Sequence, residues 1–260
     1  MMSAETEARA HKACYVYGIV PDDVELTPHA VGVGDPPAEV RLVRTDGVAA
    51  LVSEIDPEAP LGTPEDLRAH ADLLDGAATT APVLPMRFGA VLTDIEAVKE
   101  ELLGPHQEEF ADALAQLEGK IQFTVRARYV EDAVLREIVQ ERPDIAQLSD
   151  ALKGTSEDTT RNQRIQLGEL INQAIEEKRR LDSNNLLERL SADSVSYVVR
   201  EPTQDEEAAH IAFLVANDQQ ESFQEAVDEI EEDWGERLSV RLLGPMAPYD
   251  FVGQPMGESS

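Results

Sequence analysis

The groups in this 260-residue chain that could do chemistry are five histidines, one cysteine and 52 carboxylates. His11, His29, His70, His106 and His210 are scattered, with no pair at i, i+3 or i, i+4, so no helix-borne metal site is expected. Cys14 is the only cysteine, which rules out an internal disulfide. There is no G-x-S-x-G elbow and no Walker A loop, and no helix pattern follows Gly32-Val33-Gly34 as a dinucleotide site requires. Acidic neighbours such as Asp22-Asp23 and Asp205-Glu206 carry no information in so acidic a chain. No catalytic residue, metal or cofactor is therefore expected, and the chain does not read as an enzyme.

The cations are more informative. Arg87 lies in Ala81-Pro82-Val83-Leu84-Pro85-Met86-Arg87-Phe88-Gly89-Ala90-Val91-Leu92, the most apolar run of the chain. A guanidinium there needs a partner or a route to solvent. It either pairs with a carboxylate in a core strand or marks a docking surface. Lys120, Arg126 and Arg128 make one strand markedly basic. Carboxylates on neighbouring strands would neutralise them, while the alternative is a small anionic ligand held by Arg87, Arg126 or Arg128.

The whole chain carries a formal charge of −30. That charge repels phosphates and anionic lipid headgroups, so neither nucleic acid nor membrane is an expected partner. Apolar residues make up 42% of the chain, enough for real cores, yet no run approaches the roughly 18 apolar residues of a membrane span. The segment from Met1 to His11 is polar, holds Glu5 and Glu7, and lacks the features of a signal peptide, so a cytoplasmic protein is expected.

The elements that position these groups follow from periodicity and turn chemistry. After a loose tail over 1–12, Cys14 to Val20 reads as a strand and Val24 to Ala38, rich in Gly and Pro, as a loop. Val40 to Arg44 and Val48 to Val52 flank Thr45-Asp46-Gly47, a strong hairpin signal. A helix begins at Thr63-Pro64-Glu65-Asp66 and runs to about Ala78. Val83 to Leu92 is expected as one strand, buried on both faces or nearly so. Thr93-Asp94-Ile95-Glu96 has capping-box spacing and opens a helix that is interrupted at Gly104-Pro105 and resumes from His106 to Leu117. From Lys120, a strand alternates Ile121, Phe123, Val125, Ala127 and Tyr129 with polar residues. Helical pieces divided at Pro143 lead to a long helix over about 160–190, with Ile165, Leu170, Ile171, Ala174, Ile175 and Leu181 at helical spacing. Ser194 to Arg200 and His210 to Ala216 are strands around an acidic turn, Glu201 to Glu207. Asp218-Gln219-Gln220-Glu221 caps a helix with Phe223, Val227, Ile230 and Trp234 inward, and Leu238 to Leu243 closes the order.

The expected class is α+β, with two ferredoxin-like-related domains. The first spans 13–118, its first helix replaced by the 24–38 loop. The second spans 119–245, with a coiled-coil-like helical hairpin over about 131–190, and a Pro/Gly-rich tail occupies 246–260.

Four motifs add a further inference. Tyr15-Val16-Tyr17-Gly18-Ile19, Val83-Leu84-Pro85-Met86-Arg87-Phe88-Gly89, the strand from Gly119-Lys120 to Arg128-Tyr129, and Gly244-Pro245-Met246-Ala247-Pro248-Tyr249-Asp250-Phe251 together resemble the GvpF/GvpL gas vesicle family. They span nearly the whole chain in order. Met246 and Ala247 stand where that family typically has Trp and Pro. The resemblance implies a non-enzymatic accessory protein of gas vesicle assembly, cytoplasmic and vesicle-associated. Its partners would be the hydrophobic shell protein and other accessory proteins. Arg87, Phe88, Arg126, Arg128, Pro245, Tyr249 and Phe251 are the candidate partner-binding or domain-junction residues.

Overall fold

The computed structural model describes residues 12–26, 30–130, 132–204 and 206–252. His11, His29, Asp205 and the ends of both expected tails lie outside them. The chain forms two compact units. It passes from the first to the second between Gln122 and Phe123, and returns between Gly244 and Pro245.

The first unit is built on β1 (Ala13–Pro21), which has neighbours on both edges. β3 (Val48–Ile55) pairs antiparallel along one edge, and β2 (Val40–Arg44) lies outside β3. A strand paired on both sides and covered on both faces must be apolar throughout. Cys14 to Val20 is accordingly fully buried. The β2–β3 hairpin turns where expected, with Gly47 at φ +84°, a left-handed value that suits glycine. α1 (Pro64–Ala78) carries a complete capping box: Thr63 Oγ1 accepts the Asp66 N–H, and Asp66 accepts the Thr63 N–H. Asp66, His70, Leu74 and Ala78 form its buried stripe.

The expected strand from Val83 to Leu92 is instead two short ones, β4 (Leu84–Pro85) and β5 (Val91–Leu92), both antiparallel to β1. The register gives the reason. β1 advances three residues from Tyr15 to Gly18, while the facing chain uses six from Pro85 to Val91. The surplus leaves the sheet as a knuckle, Met86 to Ala90. Val83 to Pro85 remain buried, but Arg87, Gly89 and Val91 are exposed. Arg87 is therefore not a buried ion-pair partner in a core strand.

α2 (Ile95–Ala97) is capped by Asp94, which accepts the Ala97 N–H, and not by Thr93. It widens into a π-helical turn, Val98–Leu103, ahead of Pro105. α3 (Gln107–Leu117) buries Leu114 and Leu117.

The second unit takes most of β6 (Lys120–Tyr129), with β7 (Ser196–Val199), β8 (Glu207–Ala216) and β9 (Leu238–Met246), in the sheet order β7-β8-β6-β9. Glu207, expected in a turn, is the first residue of β8. Phe123, Phe213 and Phe223 form the aromatic core, with Phe223 5.5 and 5.3 Å from the other two ring centres. Phe223, Val227 and Ile230 bury one side of α7 (Gln220–Trp234), whose N-cap is Gln219 without a side-chain capping bond. α4 (Ala133–Glu141) and α5 (Pro143–Leu152) divide at Pro143, which serves as the first residue of α5. α6 (Glu157–Leu190) packs on α4, α5 and β8. Ala174, Asp182, Leu186 and Leu190 are buried among its described side chains, whereas Ile165 and Leu181 of the expected stripe face solvent.

The C-terminal segment is more than a tail. β9 continues to Met246, and Ala247 and Phe251 are buried in the first unit. The Ala247 N–H donates to Asp75 Oδ1 at 2.8 Å. Gln122 and Asp250 bond reciprocally, the Gln122 amide donating to Asp250 Oδ2 at 2.7 Å and the Asp250 N–H to Gln122 Oε1 at 3.1 Å. These bonds satisfy backbone groups that a free tail would leave to water.

Candidate functional site

The knuckle of the first unit is bonded inward at several points. Met86 N–H donates to the Tyr17 carbonyl at 2.8 Å, Gly89 N–H to the Tyr15 hydroxyl at 3.2 Å, and Val16 N–H to the Ala90 carbonyl at 2.9 Å. Gly89 sits at φ +89°, which lets the chain turn back to β5. Beneath the knuckle, His70 Nδ1 lies 2.9 Å from the Tyr15 hydroxyl and Nε2 lies 3.2 Å from the Met86 carbonyl. Phe88 is half-buried and packs edge-on against Tyr15 and His70, with ring centres 5.8 and 5.6 Å apart. Tyr17 donates to Ser53 Oγ at 2.9 Å and accepts the Val33 N–H at 2.9 Å.

Burial pushes the Tyr15 hydroxyl up to about 12 and raises Tyr17 as well. It lowers His70, against the opposing pull of the Met86 carbonyl. Asp66 is held low chiefly by the Gly34 N–H, with Thr63 and Gly62 adding further donors. The result is a neutral, fully engaged base beneath a loop whose Arg87 side chain faces water.

The expected site residues divide between the units. Arg87, Phe88, Pro245, Tyr249 and Phe251 are in the first; Arg126 and Arg128 are in the second. Pro245 is exposed, Tyr249 is 37% exposed and Phe251 is buried. Arg126 donates through Nε and a terminal nitrogen to Glu207 Oε1, at 2.9 and 2.6 Å. Glu207 is fully buried and also accepts from the Thr203 N–H and hydroxyl. Burial would raise its pKa, but the Thr203 and Arg126 donors outweigh that and hold it low. Arg128 is exposed and donates to the Gln204 side-chain oxygen.

Sequence reasoning missed the larger charged cluster of the second unit. Arg237, just before β9, makes a two-pronged bond to Asp182 of α6, both contacts 2.7 Å, and reaches Glu137 of α4 at 2.7 Å. The Tyr129 hydroxyl donates to the same Asp182 at 2.7 Å, and Lys178 bridges Glu137 and Glu141 at 2.8 and 2.7 Å. Burial alone would lower the Arg237 pKa, but Asp182 and Glu137 outweigh it and hold it up. The one signal in the sequence was an Asp within the inner side of a charged helix. His70 gave a similar hint, one turn after the capping Asp66. Among the described residues, no group of three or more His, Cys, Asp or Glu is placed to hold a metal ion, and no helix is long and apolar enough to cross a membrane.

Comparison with known proteins agrees with these landmarks. Residues 13–253 match the family described as gas vesicle synthesis protein GvpL/GvpF. Gas vesicle protein F of Streptomyces sp. (strain CB03234) is 33% identical over 239 residues, covering 92% of this chain and 98% of that protein. Gas vesicle protein L of the same strain is 28% identical over 266 residues, covering 92% of each chain. The crystal structure of the gas vesicle protein GvpF from Anabaena sp. PCC7120 superposes with a TM-score of 0.80 at 25% identity, over 94% of this chain and 99% of that one. With sequence and fold in agreement along nearly its whole length, the chain belongs to the GvpL/GvpF family of gas vesicle synthesis proteins.

Proposed function

We propose that this protein is an accessory factor of gas vesicle assembly that binds the hydrophobic shell protein, other accessory proteins of the vesicle, or both, during nucleation or growth. The observation that carries the reading is the family match across residues 13–253. The higher identity to a protein F than to a protein L of one strain favours an F-type role. A body of net charge −30 suits this task, because self-repulsion keeps a complex with an aggregation-prone subunit dispersed. The protein acts in the cytoplasm at the forming vesicle, without catalysis.

Each unit is read as related to the ferredoxin-like arrangement. In the second unit the strand order is second-third-first-fourth, with helices between the first and second and between the third and fourth strands. The first unit has the same order with a loop in place of the first helix. In the first unit, Arg87, Pro245 and Tyr249 are the exposed candidate groups available to a partner, whereas Phe88 and Phe251 hold the surfaces that present them. An anionic-ligand role is less well supported, because Arg126 is engaged by Glu207.

Co-expression with the vesicle shell protein and the remaining vesicle accessory proteins, followed by affinity capture, tests the reading. Co-purification of at least one of them is expected. Capture of none, together with normal vesicles in cells lacking this protein, overturns it.

A further inference from the structure

For a neutral ring, the bonds around His70 admit one consistent set of proton positions. The Met86 carbonyl can only accept, so Nε2 carries the imidazole proton and donates across 3.2 Å. Nδ1 is then a bare acceptor, and the Tyr15 hydroxyl donates to it across 2.9 Å. The Tyr15 oxygen in turn accepts the Gly89 N–H at 3.2 Å. One neutral ring thus holds the knuckle at both ends, Met86 directly and Gly89 through Tyr15. A second ring proton would sit on Nδ1 and face the Tyr15 oxygen. That hydroxyl would have to turn its own hydrogen elsewhere while still accepting from Gly89, and a charge would enter a site that is 4% exposed.

The surroundings do little to offset this cost. On α1, Asp66 lies one turn before His70, but its oxygens already accept from Gly34, Gly62 and Thr63. Asp75, five residues after His70, accepts the Ala247 N–H. From β1, Tyr15 and Tyr17 are neutral, and the Cys14 thiol, pushed up to about 11 by burial, is neutral too. From the C-terminal segment, Tyr249 interacts electrostatically with Asp75 and Tyr15. The knuckle itself contributes Arg87, a cation that would oppose a second one nearby.

We propose that His70 is a proton-operated latch on the Met86–Ala90 knuckle. Neutral, it holds the loop at both ends; protonated, its Nε2 goes on donating to the Met86 carbonyl while the Tyr15–Gly89 end of the loop is released, and with it the Arg87–Phe88 pair. The latch is a property of this chain alone and stands apart from whichever partner meets Arg87.

Amide exchange and imidazole shifts followed by NMR on the full chain, between about pH 8 and pH 5, test it. The Gly89 amide is expected to lose about tenfold in protection, the scale of one hydrogen bond, as His70 titrates. Amides along β3 should stay protected. A His70→Gln variant, which keeps a donor and an acceptor but cannot titrate, should hold Gly89 protection constant over the same range. Tyr15→Phe should leave Gly89 poorly protected at every pH. Unchanged Gly89 protection through the His70 titration overturns the latch, as does a loss in His70→Gln with the wild-type midpoint. If the Gln variant does not fold, the wild-type titration decides alone.

Discussion

The two units hold their key loops by opposite chemistry. In the first, the knuckle rests on a neutral relay, Gly89 to Tyr15 to His70 to Met86, enclosed by aromatic rings. In the second, α4, α6 and the approach to β9 are joined through formal charges: Glu137, Lys178, Asp182 and Arg237. A neutral relay avoids desolvating ions, yet one added proton disrupts its Tyr15–His70 link. An ionic cluster tolerates that proton at neutral pH, but losing Asp182 or Arg237 removes their two-pronged bond and leaves the other's charge poorly compensated in a poorly solvated site.

The largest break should come from the ionic side. Asp182→Ala leaves Arg237 and the Tyr129 hydroxyl without their shared acceptor. A loss of about 3–5 kcal/mol is expected, measured by chemical denaturation. On the neutral side, Tyr15→Phe removes only one hydroxyl but unpairs Gly89 N–H and His70 Nδ1. A smaller loss of about 1–3 kcal/mol should follow.

Acid should separate the regions in order. His70 has a lower pKa folded than its ordinary 6.5, so the folded state binds fewer protons. Its contribution is complete above 6.5 and declines as pH falls through that value toward the folded one. Glu137 and Glu207 are also held low, from 4.5. Their contributions are complete above 4.5 and disappear only as pH falls through the lower folded values. Stability measured in pH steps should therefore fall first through the knuckle and later through the ion pairs of the second unit. The His70→Gln variant should lose the first phase alone. Arg87→Ala is the smallest change: its exposed side chain should alter stability by less than about 0.5 kcal/mol, while capture of vesicle proteins should weaken.

Much of this was readable from local rules. Thr45-Asp46-Gly47 specified its hairpin and Thr63-Pro64-Glu65-Asp66 its helix start, because each acts through groups a few residues apart. Alternation along Ile121 to Tyr129 correctly placed the apolar side of β6 in the core, but Gln122 and Thr124 on its other side are buried as well. The same rules mistook Val83 to Leu92 for one strand. Hydropathy reports burial of a run but not the number of residues the facing strand offers, and that mismatch extrudes the knuckle. Arg126 was legible as a paired cation, but its partner Glu207, 81 positions away, was assigned to a turn.

The sequence by itself determined the order of strands and helices, the strong turns and the family, since these depend on periodicity, caps and motifs carried by neighbouring residues. Only the tertiary structure decided that His70 meets Tyr15 across 55 positions, that Asp182 meets Arg237 across 55, and that Asp75 receives Ala247 across 172. Such bonds form because packing brings distant groups out of water together, and each must then find a partner among whatever the fold has placed within reach.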